Sequence, residues 1–220
     1  MTSKKETAFI LMGDVSASRE LDAAKLQTAL RELVEKTNEQ FKPETPSPYT
    51  ITLGDEFQGV TQSLHSGIRT IFYMEENRLL LPVPFRLHYV LHQGFIETAI
   101  NPDKAWGMMG EGLTRARELL TDKGRNRRRY TISLPTEAAP HAAQLNRNFA
   151  VLDGIISRWN PDDYELIFDM IQNESDAEVG KLHGKDRTQI YRRRKTLMIN
   201  EYNLLKQAVF AGLEFMEAAL

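Results

Sequence analysis

The sequence predicts an α+β protein: a ferredoxin-like, split βαβ sheet domain followed by a small all-helical module. Three observations carry this. Over residues 8–134, strand-like and helix-like runs follow in the order strand, helix, hairpin, helix, strand, helix, strand. From Pro135 onward strand-like runs disappear. Basic residues are then concentrated between 181 and 195, on a segment with helix-turn-helix spacing.

The elements follow in order. The apolar run from Ala8 to Val15 is a strand that ends at Asp14. Leu26, Leu30, Leu33 and Val34 recur at helical spacing within 20–41, and Pro43, Pro46 and Pro48 then break the chain. Residues 49–53 form a strand, Gly54-Asp55-Glu56 a hairpin tip, and Phe57 to Val60 the returning strand. A second helix over 62–80 carries Leu64, Ile68, Ile71 and Phe72 and stops at Pro82. Residues 85–94 alternate as a strand, residues 95–99 are expected to pair back as another, and a helix follows Gly112. Tyr130 to Leu134 is the last strand, and the helices are expected on one face of the sheet. Helices over 136–158, 161–173 and 176–218 complete the chain. The expected division is 1–140 for the sheet domain and 141–220 for the helical module.

With 220 residues, 41% hydrophobic and 26% charged, the chain has the composition of a folded soluble protein. It contains no cysteine, which excludes a disulfide framework, a thiolate zinc site and a thiol nucleophile, and suits a reducing cytoplasm. No segment has the shape of a signal peptide or approaches membrane-spanning length, so a cytoplasmic protein without a membrane partner is expected.

Asp14 and Asp55 are the candidate chemistry. Two carboxylates offered from neighbouring strands suit a magnesium or manganese ion whose remaining ligands are water and phosphate, with Glu56 as a weaker accessory ligand. The backbone N–H groups of Val15, Ser16, Ala17 and Ser18 enter a helix and are placed to cradle phosphate, helped by Arg19. Read separately, Asp55-Glu56 is turn chemistry and Asp14 a helix cap. Lys123, Arg125, Arg127, Arg128 and Arg129 read equally as a triphosphate-holding cluster or a solvated loop. The five histidines lack metal-ligand spacing; His88 and His92, four apart on one strand, read as structural or site-lining. Trp106 and Trp159 read as packing residues.

In the helical module, Gly180 is small enough for two helices to cross, Gly184 supplies the turn, and Val179 and Ile190 are placed to pack between them. Residues 181–195 carry seven basic side chains against one acid, Asp186. Lys185, Arg187, Gln189, Arg192, Arg193 and Arg194 are the candidate nucleic-acid contacts, with DNA the expected partner; a solvated face of a protein-interaction module is the alternative.

Short strings in this order resemble known families. GDVSAS at 13–18 is similar to the first metal box of class III nucleotide cyclases. LGDEF at 53–57 is similar to their second metal aspartate and to the diguanylate cyclase signature, with Leu53 where those carry a glycine. FRLHYVLHQG at 85–94 resembles the central cyclase strand, and GEGLTRAR at 110–117 the glycine-to-helix segment after it. Together with the C-terminal helix-turn-helix, the chain most resembles the SatD family, which does not come with an established reaction.

The resemblance implies a nucleotidyl cyclase-like palm, Asp14 and Asp55 as metal-holding catalytic residues, and a nucleoside triphosphate as ligand or substrate. It also places the helix carrying Thr114 and Arg115 against the nucleotide. Active cyclases carry an asparagine and, four residues on, an arginine where this chain has Thr114 and Glu118; Arg115 or Arg117 would substitute under a shifted register. The expected protein is a regulator, in homodimeric form, whose palm binds metal and nucleotide and whose tail binds DNA. The alternatives are an active two-metal cyclase or nucleotidyltransferase, and a protein-interaction module with a vestigial palm. A site within one chain and a site at a dimer interface both remain open.

Overall fold

The computed structural model describes residues 6–122 and 128–218, in two compact units. Unit one comprises residues up to Arg78 and from Phe85 to Asn146; unit two comprises Leu79–Pro84 and Arg147 onward.

Unit one is built on a five-stranded sheet in the order β2-β3-β1-β4-β5, with β1 Glu6–Ser16, β2 Ser47–Leu53, β3 Glu56–Thr61, β4 Arg86–Ile96 and β5 Tyr130–Ser133. All neighbouring pairs are antiparallel except β4 and β5, which are parallel. Three helices cover the sheet: α1 Ala23–Phe41, α2 Leu64–Asn77 and α3 Glu111–Thr121.

Strand alternation decides what each helix covers. Ala8, Ile10 and Met12 of β1 pack with Val90 of β4 and with Ala116 and Leu120 of α3. Leu11 stands opposite Leu91, and Leu91 meets Gly67 of α2, where any side chain would collide with it. Leu11 alternates with Met12, so α2 and α3 lie on opposite faces, and the expectation of helices on one face is corrected. α1 starts at Asp22, whose carboxylate accepts from Lys25 N–H at 3.0 Å, and buries Leu26, Leu30, Leu33 and Phe41. α2 starts in a capping box between Ser63 and Ser66.

Residues 95–99 do not form a separate strand. β4 runs on to Ile96 beside Glu6, and Gly94 and Gly112 then let α3 approach the strand at backbone distance. Arg129, read from sequence as a phosphate or solvent residue, is instead buried. Its Nε donates to the Leu87 carbonyl at 3.0 Å, and its guanidinium pairs with buried Glu75 and lies 5.0 Å over the Tyr130 ring. Arg78 donates to the same Glu75 oxygen and to the Phe85 carbonyl, each at 3.0 Å. Burial raises the Glu75 pKa, but the two guanidiniums outweigh it and hold the carboxyl at about 2. This cluster grips Leu87 and, through the Arg129 carbonyl, Tyr89 N–H at 2.8 Å, on either side of His88. Lys123, Arg125 and Arg127 lie outside the described residues.

Unit two continues α4 (Ala139–Ile156) and adds α5 Tyr164–Gln172, α6 Asp176–Leu182, α7 Arg187–Thr196 and α8 Ile199–Ala218. Residues 176–218 are therefore three helices. The break between α7 and α8 falls at Met198, which takes a left-handed backbone at φ 56°. Trp159 is buried, donating from Nε1 to the Leu197 carbonyl at 2.9 Å and packing on Tyr202. Trp106, in unit one, is 53% exposed and does not pack as expected. Among the described residues, no helix is long and apolar enough to cross a membrane.

Candidate functional site

Register brings the palm candidates together. On β1, Asp14 stands opposite Glu56 of β3 on one side and His88 of β4 on the other. Gly13 precedes it because a Cβ there would fall 2.5 Å from the Phe57 ring. The hairpin tip is tied to β1 by the Val15 N–H, which donates to the Asp55 carbonyl at 3.0 Å. Gly54 turns the tip with a left-handed φ of 49°.

Each carboxylate is held by a different neighbour. Asp14 Oδ1 lies 3.3 Å from His88 Nδ1, and Ser16 Oγ lies 2.9 Å from the same nitrogen. Asp55 Oδ2 accepts from Ser18 Oγ at 2.6 Å. Glu56, nine-tenths buried, accepts from Arg117 of α3 with both oxygens, at 3.0 and 2.8 Å. Asp14, Asp55 and Ser16 are partly buried, whereas Ala17 and Arg19 are exposed.

The loop after Asp14 is conformationally specific. Ala17 takes a left-handed backbone at φ 54°, and a single 3₁₀ turn, Ser18–Glu20, follows before α1. Ser18 and Arg19 also line a cavity of about 240 Å³ with Ala23, Leu26, Gln27, Gly54 and Asp55. Thr114 and Arg115 are exposed near the start of α3; Thr114 Oγ1 bonds back to the Gly110 carbonyl and Arg115 pairs with Glu118 at 3.0 Å. Arg117 of α3 reaches Glu56, the residue next to Asp55. The sequence offered His88 as structural or site-lining and Arg117 as a substitute arginine; their pairing with Asp14 and Glu56 is what the structure adds. The alternation of β4 was visible, but the pairing of residue 88 with residue 14 was not.

Among the described residues, no group of three or more His, Cys, Asp or Glu side chains is gathered as a metal cluster. Two carboxylate-bearing segments joined at the backbone fit a magnesium ion that arrives with phosphate oxygens and water. They do not fit an ion held by protein ligands alone.

The second candidate surface is α6, its turn and α7. A Cβ on Gly180 would lie 2.5 Å from the Lys185 carbonyl, so glycine is what permits the tight turn. Gly184 is left-handed at φ 62°, and Val179 and Ile190 are fully buried. Asp186 and Gln189 form a capping box at the start of α7. Lys185, Arg187 and Arg192 are exposed. Arg193 pairs with Asp163. Arg194 requires a correction: it is buried, donating to Asp176 at 2.8 Å and to the carbonyls of Met170 and Asn173 at 2.6 and 2.8 Å. Its guanidinium is turned onto α5, α6 and the turn between them, away from solvent.

These features define an α+β protein with a five-stranded sheet unit, in which the Asp14 strand and the Asp55 turn are tied at the backbone, and a helical unit containing a helix-turn-helix. The model of the SatD family matches residues 8–190, and the chain belongs to that family. No curated protein matches it. Among solved structures it is similar to the catalytic core of a rhodopsin-guanylyl cyclase with converted specificity in complex with ATPαS. There the identity is 14% and the TM-score 0.37, over 52% of this chain and 71% of that one. It is also similar to the guanylyl cyclase Cya2, at 13% identity and TM-score 0.36, over 54% of this chain and 71% of that one.

Proposed function

We propose that the sheet unit binds a nucleoside triphosphate with magnesium and that the helix-turn-helix binds DNA, which makes the protein a nucleotide-responsive regulator. One observation carries this reading: the segments bearing Asp14 and Asp55, far apart in sequence, are tied by the Val15 N–H to Asp55 carbonyl hydrogen bond, beside a serine-bearing, left-handed turn. When bound, the metal would neutralise triphosphate charge. Asp14 and Asp55 would hold it, His88 would orient Asp14, and Ser18 would orient Asp55. The Val15 N–H is already given to the Asp55 carbonyl, so of the expected phosphate cradle the N–H groups of residues 16–18 and the exposed Arg19 would meet phosphate oxygens.

Binding is better supported than turnover. The α3 arginines that would meet charge developing in a transition state are engaged by carboxylates, Arg115 by Glu118 and Arg117 by Glu56. In unit two, the exposed Lys185, Arg187 and Arg192 supply the phosphate contacts of a DNA-binding helix.

The test is fluorescence anisotropy of labelled duplex DNA, with and without magnesium and each nucleoside triphosphate. Nucleotide should change the DNA affinity of the wild type and have no effect on Asp14→Ala. DNA affinity that ignores nucleotide in both proteins would refute regulation. Pyrophosphate release that needs both aspartates would establish an enzyme instead.

A further inference from the structure

The cavity beside Asp55 has walls that metal and phosphate would not use. Leu26 and Ala23 give it an apolar side, and Gln27 places an amide on it. Ser18, Arg19 and Asp55 form the rest of the lining together with Gly54. We propose that this cavity receives the heterocyclic base of the nucleotide, so that the nucleotide is bound within one chain. This rests on the metal-nucleotide reading above and extends it to the part of the ligand that reading leaves unplaced.

Size, chemistry and continuity support the assignment. At about 240 Å³ the cavity lies below the roughly 300 Å³ at which pockets begin to enclose whole drug-sized ligands, so it suits one ring system. Ring faces are apolar and ring edges polar, which matches Leu26 and Ala23 against the Gln27 amide. That amide offers a donor and an acceptor side by side, the pattern that reads a base edge through paired hydrogen bonds. Ser18 and Arg19 belong both to the cavity and to the turn after Asp14, so a ring seated here continues directly to the phosphate positions.

Calorimetry on the full chain separates the base from the phosphates. Magnesium is kept constant while ATP, GTP, CTP, UTP and inorganic tripolyphosphate are titrated in turn. The best nucleotide should bind at least about tenfold more tightly than tripolyphosphate, a margin the ring contacts would supply. Ala23→Trp, which fills the cavity from an exposed helix position, should erase that margin, so that nucleotides bind the variant no more tightly than tripolyphosphate does. Gln27→Ala should narrow the spread among the four bases without moving the melting temperature. Tripolyphosphate binding as tightly as every nucleotide would overturn the base site alone. So would a margin that survives both substitutions. If neither nucleotides nor tripolyphosphate bind, the base site and the metal-nucleotide reading fall together.

Discussion

The two units hold charge in opposite ways. In the sheet unit the acids are the candidate ligands, and each already has a partner: Asp14 meets His88, Asp55 meets Ser18 and Glu56 meets Arg117. In the helical unit the bases are the candidates, and they divide into spent and available. Arg194 and Arg193 are bound to Asp176 and Asp163, while Lys185, Arg187 and Arg192 stand in solvent. The formal charge of a segment therefore overstates its binding surface. Its availability depends on strand register in one unit and on which side of a helix is packed in the other.

The contrast can be broken most forcefully at Arg194. If it is a structural residue, Arg194→Ala leaves partly buried Asp176 without its cation and the Met170 and Asn173 carbonyls without their donor, and should cost roughly 2–5 kcal/mol. Chemical denaturation would show the loss, whereas a DNA-contacting arginine would lower affinity and leave stability alone.

The corresponding buried charge of the sheet unit is Glu75, and it has a pH signature. Its folded pKa is about 2 against an ordinary 4.5, so as pH falls the unfolded chain takes the proton first. The contribution, on the order of 3 kcal/mol, is complete above about pH 4.5 and is lost as pH drops from there towards 2. Glu75→Gln should be less stable than the wild type at neutral pH, with the difference shrinking across that window. A difference independent of pH would mean the carboxylate is not held by Arg129 and Arg78.

Gly180→Ala is a smaller test of the tail. The new methyl would meet the Lys185 carbonyl, and overpacking of this kind costs about 1–3 kcal/mol. An unchanged melting temperature would show that the turn has room. The smallest effect belongs to the available bases: Arg192→Ala should weaken DNA binding uniformly across sequences and lower the salt slope by about one. An unchanged slope would take α7 off the DNA.

Much of the fold was legible because periodicity and punctuation agree. The helical spacing of Leu26, Leu30 and Leu33, the Gly54-Asp55 tip and the alternation of 85–94 all mark elements present in the structure. The side of the sheet each helix covers was not legible, because it depends on which residues of β1 face α3, a matter of tertiary packing. In the site, Asp14 and Asp55 were visible as residues at strand ends. His88 and Arg117 were named, but not their partners, since those come from strand register and helix packing that set them beside residues 14 and 56. The turn at 180–184 was readable from its two glycines, but the burial of Arg194 depends on acceptors from α5 and α6 that no local pattern announces.

The most direct measurement is manganese electron paramagnetic resonance on the wild type, Asp14→Asn and Asp55→Asn, with and without a non-hydrolysable nucleoside triphosphate. A site completed by phosphate should bind manganese in the wild type only when nucleotide is present, and in neither variant. Manganese bound equally without nucleotide, or retained by both variants, would contradict a metal-nucleotide site built on Asp14 and Asp55.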